Sequence, residues 1–190
     1  MEALLRSLLP KLIGPVHCNF QLFPGKPALL RRLPPRLRAL RRMWQPGWLV
    51  LIIIDCDRDD CRTLKRRLEA DAHTAGLMTR SSNPSGPIQV INRIAIEELE
   101  AWYFGDWQAV MAAYPRMASS VPARAAYRVP DAIAGGTSEA LERLFATAGY
   151  FSNGLPKIEI ARRIGPHMEP ARNTSRSFQV LRDALLSATQ

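Results

Sequence analysis

Cysteine and histidine are scarce in this chain of 190 residues, with three of each. Cys18, Cys56 and Cys61 lack C-x-x-C spacing and read as free thiols in a reducing cytoplasm. His17, His73 and His167 are scattered, each reading as structural and none as a ligand. No apolar run reaches the length that crosses a bilayer, so no membrane partner is expected. The apolar N-terminal stretch is interrupted by Glu2, Arg6, Pro10 and Lys11, and no small-residue cleavage site follows, so no signal peptide is expected. The glycine-rich loops of P-loop and dinucleotide-binding proteins and the G-x-S-x-G elbow of the α/β-hydrolases are also missing. No internal repeat is visible. Acidic residues are nearly absent from the first 48 positions, where Glu2 alone faces nine Lys/Arg. The remaining 142 residues hold seventeen basic and sixteen acidic groups, so almost all of the net charge of +9 belongs to one segment.

That segment contains Arg31, Arg32, Arg36, Arg38, Arg41 and Arg42, spaced around Leu30, Leu33, Leu37, Leu40 and Trp44. The leucines recur at helical spacing, which places the arginines on the other faces. A basic stripe of this kind is the electrostatic footprint of a phosphate backbone; a solvated face or a docking face for an acidic protein is the alternative. Pro34 and Pro35 are expected to split the helix into two short pieces.

The stretch from Trp48 to Asp60, WLVLIIIDCDRDD, organises the rest. Leu49 to Ile54 form an unbroken apolar run rich in β-branched residues, which predicts a strand of a parallel sheet. Four aspartates follow within six residues: Asp55, Asp57, Asp59 and Asp60. Side-chain alternation points Asp55 and Asp57 the same way, at the strand end where ligands of open α/β sheets gather. Carboxylates crowded there repel one another without a cation, and oxygen-only donors favour Mg²⁺ or Mn²⁺ over zinc. The alternative is a polar turn with Asp59 or Asp60 capping the next helix.

Around this strand the patterning predicts a helix from Glu2 to Ile13, a strand from Val16 to Phe23, and a helix from Asp59 or Asp60 to about His73. A loop at 80–87, a strand from Ile88 to Ile96 and a helix from Glu97 to Gly105 follow. No strand signal appears after residue 96; helices are expected near 107–114, 137–148, 156–164 and 177–187. The alternation predicts a three-layer α/β domain over 1–106, with a parallel sheet flanked by helices, and a helical annex over 107–190. Acidic strand ends beside a basic segment suit phosphoryl chemistry, although D-x-D after an apolar strand also occurs in glycosyltransferases and phosphatases.

Five pieces of the chain carry a resemblance. They are IIIDCDRDDC with Leu64-Lys65, NRIAIEELEAWYFGDW, AYP, PDAI and SRSF. Together they resemble the toprim-like bacterial family catalogued as domain of unknown function 4276, related in fold to the nuclease domains of overcoming-lysogenization-defect proteins. The resemblance implies a toprim-like, Rossmann-like sheet with Mg²⁺ or Mn²⁺ on Asp55 and Asp57, Asp59 as an accessory ligand, and Glu98 and Glu100 in a second acidic block. It also implies an E-x-x-x-E segment in which Glu2 is the second glutamate, so that a strand and a further glutamate would precede Met1. The implied activity is that of a metal-dependent nuclease, or a nuclease-like subunit, acting on DNA or RNA. A non-catalytic partner of an ATPase in phage defence or repair is the alternative, and a small-molecule phosphotransfer enzyme a second one.

Overall fold

The computed structural model describes residues 1–56, 59–95, 99–151 and 154–189. Among them are α1 (Glu2–Ile13), α2 (Lys26–Arg42), β1 (Val50–Asp55), α3 (Cys61–Thr74), β2 (Val90–Ala95), α4 (Glu100–Gly105), α5 (Trp107–Ala113), α6 (Thr137–Thr147), α7 (Lys157–Ile164) and α8 (Arg176–Thr189). Short 3₁₀ turns occupy Val121–Ala123, Ala125–Tyr127, Pro130–Ala132 and Gly165–His167. The chain folds as two compact units, one of Asn19–Ile96 and one of Met1–Cys18 with Glu97–Thr189. This is a different division from the boundary expected at residue 106, because α1 and α4 count with the helices.

In the sheet unit β1 and β2 run parallel, in register from Val50↔Val90 to Asp55↔Ala95. Alternation sends Val50, Ile52 and Ile54 to one face together with Val90 and Ile94. That face packs on Leu33 and Leu37 of α2 and on Leu64, Leu68 and Ala72 of α3. Asn92 interrupts it and is almost fully buried. Its amide Nδ2 donates to Glu69 Oε1 at 3.0 Å, so α3 supplies the partner that a buried polar group needs. Lys65, one turn earlier, holds the same carboxylate at 2.6 Å. Asp60 starts α3 as its N-cap, accepting from the Thr63 N–H at 2.8 Å.

Two expectations are corrected here. Residues 16–23 form no strand; among the described residues the sheet has two strands, order β1-β2. The apolar–polar alternation there belongs to an irregular connection in which Cys18, Phe20 and Phe23 are half-buried and their neighbours exposed. Period two reports extended backbone, and a ladder needs a neighbour as well. Second, Pro34 and Pro35 do not divide α2, which is one helix of 17 residues. Each proline removes an N–H from the ladder. One carbonyl released in this way, that of Leu30, accepts from Arg67 Nη2 of α3 at 3.4 Å.

The helical unit is built on aromatics and a docked first helix. Leu4, Leu8 and Leu12 of α1 are buried. Lys11 donates to the carbonyls of Pro166 and Met168, both at 2.7 Å, binding α1 to the turn after α7. Trp102 meets Phe178 edge-on at 5.4 Å, and Tyr114 meets Phe145 at 4.7 Å. No helix among the described residues is long and apolar enough to cross a membrane.

Acid should weaken the sheet unit in a defined direction. The Thr63 hydrogen bonds hold the Asp60 carboxyl below its ordinary value. Burial pushes Glu69 up, but hydrogen bonds from Lys65 and Asn92 outweigh it and leave that carboxyl low as well. Both groups favour folding while charged, so their contribution is complete above the ordinary carboxylate range and is lost as pH falls through the lowered values. The thermal midpoint should therefore drop between about pH 5 and pH 2, and Asp60→Asn with Glu69→Gln should flatten that limb. An unchanged acid limb in the double variant would assign the sensitivity to other groups.

Candidate functional site

The acidic end of β1 is built by a lysine as much as by aspartates. Asp55 closes the strand, exposed, on the side of β1 that alternation turns away from α2 and α3. Cys56 follows, buried, with its thiol donating to the Asp59 carbonyl at 3.2 Å. Lys26, in the first turn of α2, reaches into the loop. Its ammonium donates to the Cys56 carbonyl and to Asp59 Oδ2, both at 2.7 Å. A protein cation thus stands beside Asp59, where the sequence reading expected metal. Asp60 is spent on the cap of α3, so the capping alternative holds for that residue. Asp57 lies outside the described residues.

The remaining candidates fall in the helical unit. Glu2 pairs with Arg6 one turn along α1, an exposed i,i+4 pair. Glu100 is buried, and Lys157 Nζ of α7 sits 3.0 Å from its Oε1. On the next turn of α4, burial and then the Glu100 charge push the Tyr103 phenol far above its ordinary value. Its hydroxyl is buried and has no hydrogen-bond partner among the described residues. Glu98 lies outside the described residues. Among the described residues no three His, Cys, Asp or Glu side chains gather as a metal would require. The donors at the strand end are hard oxygens, which suits Mg²⁺ or Mn²⁺ in chemistry.

The motifs that carried the resemblance have a structural task. Asp106 of the E-A-W-Y-F-G-D block is buried and caps α5. Arg172 grips both of its oxygens, Nε to Oδ1 at 2.7 Å and Nη2 to Oδ2 at 3.0 Å, and the Glu169 N–H donates to Oδ2 at 2.8 Å. Asp131 of PDAI receives the Arg176 N–H at 2.6 Å and the Ser177 N–H at 3.2 Å, satisfying the start of α8. Ser175 and Ser177 of SRSF also donate their hydroxyls to it, and Ser177 Oγ accepts from the Trp102 indole at 3.0 Å. Gly105 lies against this knot; a Cβ there would collide with Asn173 Oδ1 and come within 2.7 Å of the Ser175 nitrogen. Three distant pieces of sequence are one hydrogen-bonded frame.

All six arginines of α2 are exposed. None forms an ion pair or side-chain hydrogen bond among the described residues. At 3.6 residues per turn, Arg31, Arg38 and Arg42 fall within an arc of about 40° opposite the leucine face. Arg62, Arg66 and Arg67 of α3 are exposed too. The sheet unit therefore carries fourteen Lys/Arg against six Asp/Glu, most of the surplus of the chain.

Sequence reasoning missed Lys26, Lys157 and Glu69. Lone lysines give no signal until folding places them beside a carboxylate. Glu69 lines a cleft of about 320 Å³ with His73, Thr79 and Ser82. An i,i+4 Lys65–Glu69 spacing was the available clue.

The frame makes a stability prediction. Asp106→Ala removes the cap of α5 and the buried carboxylate that receives the Glu169 N–H, a class of change that costs about 1–3 kcal/mol, while the exposed Arg172 can turn to water. Gly105→Ala should destabilise as well, since the Ser175 backbone nitrogen and an Asn173 amide held by its own hydrogen bonds both block the methyl. Urea unfolding checks both; Asp106→Ala at wild-type stability would show that the frame does not hold the unit.

No curated protein and no solved structure matches the chain. The profile of the family described as Domain of unknown function (DUF4276) matches residues 1–186, and the chain belongs to that family.

Proposed function

We propose that this protein is a nucleic-acid-binding subunit with a toprim-like core, acting as a metal-dependent nuclease or nuclease-like component on DNA or RNA. The observation that carries the reading is α2. One helix presents six exposed arginines, none held by an acidic partner among the described residues, and its leucine face is committed to the core. Unpaired arginines in a row suit phosphates spaced along a backbone, which they neutralise with release of counterions.

The parallel β1–α3–β2 arrangement, with Asp55 at the C-terminal end of β1, supports the toprim-like assignment. Asp55 and Asp57 would hold Mg²⁺ or Mn²⁺, with Asp59 able to join only by leaving Lys26. Such an ion supplies a Lewis acid and a bound water of lowered pKa. The pairing of Asp59 with Lys26 and of Glu100 with Lys157 favours a second reading, a nuclease-like subunit that binds nucleic acid without cutting it, partnered with an ATPase.

A nuclease assay with Mg²⁺ or Mn²⁺ on supercoiled, linear and single-stranded substrates separates the two. Cleavage abolished by Asp55→Asn supports the catalytic form; binding without cleavage supports the partner form. In either form affinity should fall with log salt at about 0.9 per phosphate neutralised. Arg31→Gln, Arg38→Gln and Arg42→Gln together should reduce that slope by about 2 to 3. A salt-independent affinity, or a slope untouched by the triple variant, would sink the polyanion reading.

A further inference from the structure

The arginine helix ends in a pair of tryptophans. Trp44 follows the last turn of α2, half-buried against the sheet core. The next residues close a turn in which the Trp48 N–H donates to the Gln45 carbonyl at 3.2 Å. Pro46 fits the second position of that turn, and Gly47, at φ +84°, takes the left-handed third position that glycine tolerates best. The turn brings Trp48 back onto Trp44, with ring centroids 6.1 Å apart and planes crossed at 68°. An edge-on neighbour braces a ring and leaves a face of it open. Trp48 is 37% exposed, and Met43, just before the pair, is 60% exposed.

A large aromatic that stays in water, braced and adjacent to cations, is poorly explained by folding. Trp102 and Trp107, the other two tryptophans, are buried and their indole N–H groups donate to Ser177 and to the Ala118 carbonyl. We propose that Trp48, supported by Trp44, is a stacking platform for an unpaired base, so that the preferred ligand of this face is single-stranded nucleic acid. The inference rests on the polyanion reading of α2. Arg41 and Arg42 occupy the last turn of the helix, two to three residues before Trp44. The arginines and the tryptophans are neighbours along the chain, so a strand whose phosphates follow the helix to its end would bring its next nucleotide toward Trp48. Base faces are open to an indole only when the strand is unpaired, whereas a duplex offers phosphates alone to the same surface. Ring stacking is tolerant of sequence, so no preference among bases is expected beyond stacking strength.

Fluorescence anisotropy with a labelled 20-mer of oligo-dT and a labelled 20-bp duplex tests this on the full chain. The wild type should bind the single strand more tightly. Trp48→Ala should weaken oligo-dT binding about five- to a hundredfold, the range of one base–aromatic stack, and leave the duplex within about twofold. Trp48→Phe, which keeps a ring and guards against a folding artefact, should retain most of the affinity. The triple arginine variant should weaken both probes. Trp48→Ala without effect on either probe, or with equal effect on both, overturns the platform while leaving the polyanion reading in place. An altered sedimentation coefficient in Trp48→Ala with oligo-dT affinity intact would overturn it in favour of a protein contact. A wild type that binds neither probe overturns the polyanion reading itself.

Discussion

A parallel ladder of two strands cannot support itself, and this constraint arranges the sheet unit. Among the described residues each strand pairs on one side only, and a sheet so small is stable only with apolar cover. Cover for the Ile52/Ile54 face must come from α2 and α3, because those helices carry the matching leucines at helical spacing. Once Leu33 and Leu37 are committed inward, the arginines on the other faces of α2 have nowhere to go but outward. The charged face is thus a by-product of the same periodicity that makes the core, and its density is set by how many arginines fill the remaining positions.

Much of this was legible in the chain. The apolar run before Asp55, the leucine spacing of α2 and α3, and the helices after residue 106 all report local periodicity, and local periodicity is what a sequence states most directly. The helix from Lys157 to Ile164 and the strand from Val90 to Ala95 sit within two residues of their expected bounds. What could not be read was partnership. Residues 16–23 alternate as a strand would, yet alternation says nothing about whether a neighbour exists. Pro34 and Pro35 look like a break, yet the cost of two missing hydrogen bonds is set against the packing of a whole leucine face and a guanidinium that meets one freed carbonyl.

The acidic residues show the same limit more sharply. Along the chain, Asp55, Asp59, Asp60, Glu100, Asp106 and Asp131 carry the same group, and nothing there tells which of them is already satisfied. In three dimensions they separate by what already satisfies them. Asp106 and Asp131 saturate their oxygens with a guanidinium, hydroxyls and helix N–H groups, and their removal is a matter of stability. Asp60 is a cap. Asp59 and Glu100 are each held by a lysine. Asp59 is exposed and Lys26 mostly covered, whereas Glu100 is buried and Lys157 exposed, so the carboxylate shut away from water is that of the second pair. A buried carboxylate that loses its cation must gain another or take up a proton.

The distribution of basic partners gives the functional reading its physical basis. Across the described residues, Lys26, Lys65, Lys157 and Arg172 each meet a carboxylate, and Lys11, Arg67, Arg80 and Arg116 each meet a carbonyl. Arg62, Arg143, Arg162 and Arg176 are exposed without a side-chain partner among the described residues, but each stands apart from the others. Beyond the paired Lys26, α2 gathers six such arginines on one helix, where they repel one another, a cost that the folded state bears without return from its own contacts. Guanidinium is more weakly hydrated than ammonium and presents a planar fork, so a surface built of arginine and not of lysine gives up less when it meets phosphate. Solubility alone would be served by mixed charge. A single-sign face beside a braced, exposed indole is better matched to a ligand that carries regular negative charge and flat apolar rings together, and a nucleic acid strand has both in every residue.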